Sequence, residues 1–368
     1  MLPNKLSHEF LRRIPKVMLH DHLDGGVRPE TVIALAEQQG YDKLPTHDPI
    51  KLREWFQRGA QRGNLPEYLE GFVHTTGVMQ TEESLERVAY EALEDMLHDG
   101  VYYLETRFAP LYHLDKGLTP EAVVAAVLRG LERGKKDFNV HYGVILVAMR
   151  NMTPEDSKRV AELSVKFRTQ GVVGLDFAGV EKGYPPCEHL EAFKYVTHHN
   201  FNTTIHAGEA YGLESIRQAV VDCAAHRIGH GTRITEDMTV HEDGTVTMGT
   251  LAQYILNRRI PLEVCLTSNV HTGAVKSLEL HPFKMLHDQG FRITLNTDDR
   301  LMSAVTLSSE YEVAHTLFGL NTEELYKISV NGIKSSFQSY AFKRKFIKEV
   351  MEPVYYALLA ESSTWTWT

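Results

Sequence analysis

Short apolar runs rich in β-branched residues alternate along this chain with longer segments that have helical periodicity. Two helical segments, residues 121–138 and 154–170, repeat apolar side chains every three or four positions. Eight runs have the length and composition of strands, and they cover residues 17–21, 101–107, 141–148, 172–177, 202–206, 227–229, 260–265 and 292–296. Because this alternation is typical of a parallel sheet covered by helices, the sequence predicts an α/β fold.

Eight strand–helix repeats favour a closed (β/α)8 TIM barrel over an open sheet. Such a barrel typically needs about 250 residues, whereas this chain has 368, so insertions are expected. No break in composition marks a second domain, and we predict a single barrel domain over residues 1–368. The polar and aromatic tail, residues 361–368, is expected to be poorly ordered.

The largest insertion is predicted between the first and second strands, at about residues 30–100. Its apolar side chains recur at helical spacings and include Trp55, Phe56, Leu65, Tyr68, Leu69 and Phe72. One interpretation is a pair of helices that pack a small core of their own. The other is an inserted helical lid over the mouth of the barrel, and the sequence allows both.

Charge and cysteine content restrict the location and the partners. The net charge of −9 argues against general binding to nucleic acid or to anionic membranes. The three cysteines cannot form a complete disulfide framework, which favours a reducing compartment. Residues 1–15 lack the apolar core of a signal peptide, and no stretch has the length of a membrane span. We therefore expect a cytoplasmic protein.

Four polar motifs each follow a predicted strand. They are His20-Asp21-His22, His206-Ala207-Gly208-Glu209, Gly229-His230-Gly231 and Thr297-Asp298-Asp299. Side chains two apart on a strand point the same way, so His20 and His22 form a natural pair of metal ligands. Glu209 follows His206 closely enough to reach a substrate without binding the same metal, which suits a general acid or base.

Each motif alone has an ordinary interpretation, such as a histidine bonded to a carbonyl or an aspartate that caps a helix. Together, four such groups at the carboxyl ends of strands one, five, six and eight indicate a metal ion that activates a water. Other chemistries lack their motifs, because there is no phosphate-binding glycine loop and no Gly-x-Ser-x-Gly elbow. Pro186-Cys187 lacks the second cysteine that the cytidine-type zinc deaminases require.

Six segments of the chain, in the order in which the family has them, resemble the adenosine deaminase family. They are PKVMLHDHLDG at 15–25, LDFAGVE at 175–181, HAGE at 206–209, RIGHG at 227–231, TSN at 267–269 and NTDD at 296–299. The matches cover most of the chain. The run Arg300-Leu301-Met302-Ser303 resembles a bacterial subgroup, with Arg300 where many members have proline.

The resemblance implies a role for each motif residue in a barrel that holds one zinc ion per chain. His20, His22, His206 and Asp298 would bind the zinc. Glu209 would protonate the purine N1, and His230 would orient the attacking water and help to take up its proton. Substrate contacts would come from His22, Asp24, Gly179 and Asp299, with Asp24 on a ribose hydroxyl, the Gly179 backbone on N3 and Asp299 on N7.

The implied activity is that of a hydrolase acting on the C–N bond of a cyclic amidine. It would convert adenosine and 2′-deoxyadenosine to inosine and 2′-deoxyinosine plus ammonia, in purine salvage. Three alternatives stay open: a deaminase of another 6-aminopurine, such as adenine or a modified nucleoside, a binuclear hydrolase on the same barrel, and a nucleoside-binding protein without catalysis. We expect a small purine partner and no nucleic acid or membrane; the sequence leaves the oligomeric state open.

Overall fold

The computed structural model describes residues 6–362, and most of the tail 361–368 lies outside this range. Eight parallel strands form one sheet in the order β1-β2-β3-β4-β5-β6-β9-β10. Their bounds are β1 Lys16–His22, β2 Val101–Phe108, β3 His141–Met149, β4 Val172–Ala178, β5 Asn202–Ala207, β6 Arg227–His230, β9 Leu262–Val264 and β10 Ile293–Leu295. All eight predicted strands are present.

The first and last strands come together where β1 meets the segment after β10. Asp21 and Asp298 form a parallel bridge, in which Asp298 N donates to His20 O at 3.0 Å. The Asn296 side-chain oxygen accepts from the backbone N–H groups of Leu19 and His20. These bonds join the two edges of the sheet, so the prediction of a (β/α)8 barrel is confirmed.

Helices follow the strands and cover the outside of the barrel. The α-helices are α1 His8–Arg13, α2 Pro29–Gln39, α3 Pro49–Ala60, α4 Leu65–Tyr68, α5 Phe72–Val78, α6 Glu82–His98, α7 Pro120–Phe138, α8 Pro154–Lys166, α9 Leu190–His198, α10 Leu213–Arg217, α11 Thr250–Asn257, α12 Leu266–His271, α13 Phe283–Asp288, α14 Arg300–Ser303, α15 Leu307–Thr316, α16 Thr322–Ser335, α17 Tyr340–Phe346 and α18 Glu352–Ser362. Shorter 3-10 turns lie at Leu69–Gly71, Pro110–His113, Pro186–His189, Thr232–Asp237 and Leu278–Leu280, and π-helical turns at Gln218–Asp222 and Ile347–Met351. No helix among residues 6–362 is both long and apolar enough to cross a membrane.

Local sequence explains where α7 begins and ends. The Thr119 side chain accepts from the backbone N–H of Ala122, and Pro120 occupies the first turn, where its missing N–H costs nothing. Asn139 ends the helix with φ of 56°, a left-handed conformation that asparagine tolerates. The apolar stripe of α7 is buried against α6 and the sheet, as its periodicity predicted.

Four α-helices, α2 to α5, lie between β1 and α6 and pack against one another beside the barrel mouth. The Phe56 and Tyr68 side chains are buried there, and Tyr68 Oη lies 2.9 Å from Ser303 Oγ on α14. Gly71 is in close contact with Met302, because a Cβ at Gly71 would lie 2.8 Å from the methionine sulfur. The inserted helices therefore pack against the chain that follows β10, which also carries Asp298.

A short antiparallel hairpin, β7 Met238–Val240 and β8 Val246–Met248, lies outside the barrel and was not predicted. Gly244 in its turn has φ of 82°, and the preceding Asp243 accepts from Thr245 N. The Asp-Gly pair is a strong hairpin signal. The strands on either side have only three residues each, too few for a clear alternation of apolar and polar positions.

The interior of the barrel holds a network of buried charges. Arg107 donates to Asp176 and Glu263, each at 2.8 Å, and all three side chains are fully buried. Arg227 donates to Glu263 at 2.5 Å and to Glu105 at 2.6 Å. Since an unpaired charge at this depth is very costly, each of these groups depends on the presence of its partners.

We expect Glu105→Gln to lower the free energy of unfolding by about 3 kcal/mol, because it leaves the Arg227 guanidinium without one of its two buried counter-charges. Urea denaturation measures the change. Asp288→Asn is the matched control, since it removes an exposed pair with Lys284 and is expected to cost less than about 1 kcal/mol. Equal effects of the two substitutions would contradict the structural role of the network.

Candidate active site

The predicted motif residues come together at the carboxyl ends of the strands. His22 Nε2 lies 3.3 Å from His206 Nε2 and 3.3 Å from Asp298 Oδ1. His20 Nε2 lies 3.2 Å from the same Asp298 oxygen. Residues from β1, β5 and the segment after β10 therefore point one polar atom each at a common centre.

Two buried carboxylates fix which ring nitrogen of the histidines faces this centre. Glu263 Oε2 lies 2.9 Å from His20 Nδ1, and Asp176 Oδ2 lies 3.0 Å from His206 Nδ1. An ionised carboxylate only accepts, so in both rings Nδ1 carries a hydrogen, and Nε2 presents a lone pair when the ring is neutral, as a metal ligand must be. This arrangement orients metal-binding imidazoles in many proteins.

The group of His20, His22, His206 and Asp298 could hold a divalent metal ion. Two ligands bound about 2.1 Å from a tetrahedral metal lie roughly 3.4 Å apart, close to the observed 3.2 and 3.3 Å. His20 Nε2 is buried and has no hydrogen-bond partner in the described chain. Burial also lowers the pKa of His22 well below its usual value, which keeps that ring neutral as a ligand must be.

His230 is also close to this group, but the nitrogen that it presents differs in whether it carries a hydrogen. One polar atom from each of His20, His206, His230 and Asp298 lies within 4.8 Å of the others. Burial lowers the pKa of His230 well below its usual value, so the ring is neutral. The question is then which nitrogen carries its single hydrogen.

A chain of hydrogen bonds answers that question. Phe283 N–H donates to His281 Nδ1, so the hydrogen of neutral His281 is on Nε2, 3.2 Å from Asn269 Oδ1. The amide of Asn269 then donates from Nδ2 to His230 Nδ1 at 2.9 Å. His230 therefore carries its hydrogen on Nε2, the atom that faces Glu209 at 3.6 Å. A protonated nitrogen cannot bind a metal, so His22 fits the ligand set better than His230.

Asp298 is held as an ionised carboxylate in a strained backbone conformation. Ser268 Oγ donates to its Oδ2 at 2.6 Å. Although burial opposes ionisation, the adjacent His20 imidazole holds the pKa of Asp298 well below its usual value. Both Asp298 and His230 have positive φ, at 61° and 62°, a region that few non-glycine residues adopt.

Glu209 lies on a turn that a second carboxylate holds in place. Glu181 accepts four backbone N–H bonds, from Gly208, Glu209, Ala210 and Tyr211, at 2.7 to 3.1 Å. Burial raises the pKa of Glu209 to about 8, and the negative charge of Asp298 adds to the effect. Glu209 is therefore mostly protonated at neutral pH, as a proton donor must be.

A cavity of about 480 Å³ opens beside these groups. Each predicted substrate-contact residue lines it, namely His22, Asp24, Gly179 and Asp299. Helices α4 and α5 contribute an apolar wall that includes Leu65, Phe72 and Val73. None of the residues that line it in the described chain is lysine or arginine.

Asp299 and Asp24 are both buried acids in this cavity. Burial and the adjacent Asp298 raise the pKa of Asp299 well above its usual value, and burial raises the pKa of Asp24 to about 7. Asp299 Oδ1 is buried without a hydrogen-bond partner in the described chain. A Cβ at Gly25 would lie 1.9 Å from that oxygen, so only glycine fits opposite Asp299.

Several residues that support the site were not assigned a role from the sequence. Asp176 and Glu181 were noticed only as parts of a motif, and Glu263, Asn269 and His281 received no function. An acid inside an apolar strand, as in Leu262–Val264, is the one signal that could have found Glu263. The other pairings join segments distant in sequence, which periodicity does not report.

Fold and site together define a (β/α)8 barrel with a buried centre for a metal at its carboxyl end. A sequence model described as adenosine deaminase matches residues 15–353. A protein named adenosine deaminase 1 from Streptomyces coelicolor is 48% identical over 360 residues, covering 96% of this chain and 90% of that protein. An adenosine deaminase from Mycolicibacterium gilvum is 47% identical over 359 residues, with 96% and 99% covered. The chain belongs to the adenosine deaminase family.

Solved structures share the fold at lower identity. An adenine deaminase from Arthrobacter aurescens superposes with a TM-score of 0.82 at 27% identity, covering 92% of this chain and 99% of that one. An Arabidopsis N6-mAMP deaminase gives 0.79 at 25% identity, with 96% and 99% covered. The barrel is thus shared by deaminases whose names indicate different substrates.

The tautomer assignment predicts which histidine substitution removes the metal. We expect His22→Ala to lose most of the divalent metal that purified wild-type protein retains after dialysis, because the site loses one of its four donors. His230→Ala, the matched control, is expected to retain it. Elemental analysis measures both. Loss of metal from His230→Ala together with full retention in His22→Ala would reverse the ligand assignment.

Proposed function

We propose that this protein is a zinc-dependent adenosine deaminase that converts adenosine and 2′-deoxyadenosine to the inosines and ammonia. The observation that carries the proposal is a buried acid, Glu209, with a raised pKa, beside the four-donor group and in the same cavity. Hydrolysis at an aromatic carbon needs both an activated water and a protonated ring, and this cavity brings together groups suited to each task.

His20, His22, His206 and Asp298 would hold the metal. Three imidazole nitrogens and one carboxylate oxygen form a donor set that suits zinc. When bound, the ion would lower the pKa of a coordinated water toward about 7 and supply a nucleophile at neutral pH. The carboxylates Glu263 and Asp176 support this role because they direct the Nε2 lone pairs of His20 and His206 to one point.

Glu209 would transfer its carboxyl proton to N1 of the purine. Protonation there withdraws electrons from C6, so the water oxygen can form a bond to that carbon. The hydrogen on the oxygen now bound to C6 passes to the exocyclic amine, which leaves as ammonia when its bond to C6 breaks. The proton that the water lost on activation restores the Glu209 carboxyl. Glu181 supports this step by fixing the backbone around Glu209, while burial keeps the proton on the carboxyl until substrate arrives.

His230 would orient the attacking oxygen by donating from Nε2. The chain from His281 through Asn269 places the hydrogen on that atom and leaves Nδ1 as an acceptor. His230 can then take up a proton only after its Nε2 hydrogen has passed to another group. This favours orientation over proton uptake as its first role.

Asp299 would anchor the purine at N7. That ring nitrogen is an acceptor, so a neutral carboxylic acid makes the matching donor. The raised pKa of Asp299 supports the protonated form, and the residue lines the cavity. Gly179, with φ of 103°, would bring its backbone close to N3.

The charges that line the cavity favour an uncharged nucleoside over a nucleotide. A phosphate group is usually bound by arginine, lysine or a helix N-terminus, and no lysine or arginine lines the described cavity. Asp24 would hold a ribose hydroxyl, a group that free adenine lacks. Adenosine therefore fits better than adenine or an adenine nucleotide, although the last two correspond to the names of solved relatives.

We further propose that the chain is a single catalytic domain and that the inserted helices α4 and α5 act as a lid. Their apolar side chains form one wall of the cavity and would exclude water from the reacting carbon. A cytoplasmic location and a role in purine salvage belong to the same proposal. The three cysteines are free in the structure, which suits a reducing compartment.

A substrate panel tests the proposal directly. With zinc-loaded protein, we expect conversion of adenosine and 2′-deoxyadenosine, followed by the change in ultraviolet absorbance. Adenosine 5′-monophosphate and adenine are expected to react at least about a hundredfold more slowly in kcat/KM, since each loses a matched contact or places a charge in a cavity without cations. Faster turnover of adenine or of the monophosphate would reject the substrate assignment.

Glu209→Gln is expected to lower kcat by about a thousandfold or more, because it removes the proton donor and keeps the shape of the side chain. The acid form is the active form, so wild-type kcat/KM should fall as pH rises through the pKa of Glu209. A bound cation would lower this pKa, which puts the alkaline limb at or below about pH 8. Stopped assays across pH measure both effects, and full activity of the variant would exclude Glu209 as the donor.

A further inference from the structure

A second cleft, of about 500 Å³, lies at the opposite end of the barrel. Its walls include Asn202 and Arg227, the first residues of β5 and β6, and Arg292, which immediately precedes β10. The catalytic cavity is formed at the carboxyl ends of the strands. The two sites are therefore separated by the length of the barrel interior.

Besides Arg227, five cationic side chains line this second site, which we call the basic cleft. They are Arg258, Arg259, Arg292, Lys334 and Lys343. No aspartate or glutamate lines it within the described chain. This is unexpected in a protein with a net charge of −9, where several surface cations, such as Arg129, Arg233 and Lys284, are paired with carboxylates.

None of these five cations forms an ion pair with a carboxylate in residues 6–362, and the contacts they make leave the charge in place. Arg259 donates to the Gly290 carbonyl, Lys343 donates to the Lys334 carbonyl, and Arg258 lies over the Tyr254 ring. Glu105, an acid that acts on Lys343, is fully buried and already accepts from Arg227.

The cleft also has more donors than acceptors. Arg292 Nε, Arg227 Nη2 and Ser335 Oγ are buried polar atoms of its walls without a hydrogen-bond partner in the described chain. Crowding of like charge is evident in two side chains. Burial and Arg259 lower the pKa of Arg292, and the pKa of Lys343 is lowered by burial and by the cations Arg227 and Arg292.

Helix ends explain only part of this arrangement. Arg258 and Arg259 follow the carboxyl end of α11, and Lys334 lies in the last turn of α16. A cation at such a position is stabilised by the helix dipole. That interaction stabilises each cation separately, and it supplies neither a counter-ion nor an acceptor for the five together.

We infer that the basic cleft is a binding site for a small phosphate ester or polyphosphate, distinct from the catalytic cavity. Phosphate oxygens are strong acceptors for arginine and lysine and would neutralise the crowded charge. The volume is in the range of small-molecule sites, roughly 300–1,000 Å³. Tyr254, Ile260 and Pro261 in the walls add apolar surface for the organic part of such a ligand.

Calorimetric titration with uridine 5′-triphosphate tests the site, because a pyrimidine nucleotide avoids the purine contacts of the catalytic cavity. The variant is Arg258→Gln with Lys334→Gln, two exposed side chains whose loss leaves the core intact. The matched control, Lys51→Gln with Lys136→Gln, makes the same change in charge at exposed sites outside the cleft. Removal of catalytic zinc by the nucleotide would affect both variants equally, so their difference reports the cleft.

We expect wild type and control to bind uridine 5′-triphosphate, with an affinity about tenfold or more higher than that of the cleft variant. Uridine should show no such difference. If pyrophosphate binds as tightly as the triphosphate, the phosphates alone are recognised; if it binds more weakly, the nucleoside contributes, and both results support the site.

Three results would overturn the inference. These are no binding to wild type at about 1 mM, equal affinity of the cleft variant and the control, and tighter binding of a single-stranded oligonucleotide that depends on Arg258 and Lys334. The last result would assign the surface to nucleic acid. The titration involves no turnover of adenosine, so its outcome is independent of the proposed catalytic function.

Discussion

The catalytic end of the barrel depends on the contact between Glu263 and His20. Glu263 accepts from the His20 ring on one side and from Arg107 and Arg227 on the others, all inside the barrel. The arginines hold the pKa of Glu263 well below its usual value despite burial, so the carboxylate remains an acceptor. Because His20 must then carry its hydrogen on Nδ1, the opposite nitrogen is left with a free lone pair at the site.

Different charge patterns at the two ends of the barrel follow from that interior network. At the carboxyl end, acids and imidazoles surround a cavity without lysine or arginine, which suits an uncharged base and sugar. At the amino end, Arg227 and five further cations line a cleft without an acid. Arg227 reaches both regions, since it lines the basic cleft and also donates to Glu263. One buried network thus separates the two kinds of site.

The sequence predicted the features that have a local signal. Strand and helix periods located all eight barrel strands, and the polar residues at their carboxyl ends gave His20, His206 and Asp298 as neighbours. The roles of Asn269 and His281 could not be predicted, because hydrogen bonds across the fold determine which nitrogen of His230 carries its hydrogen. The positive φ of His230 is likewise set by its tertiary surroundings, since most histidines do not adopt this conformation.

The central claim is that buried carboxylates direct three imidazoles and Asp298 to one metal ion. Anomalous diffraction from crystals of zinc-loaded protein tests it most directly. The account predicts one strong peak, about 2.0–2.2 Å from the Nε2 atoms of His20, His22 and His206 and from an oxygen of Asp298. Two peaks in the cavity, or a single peak bound by His230 in place of His22, would contradict it.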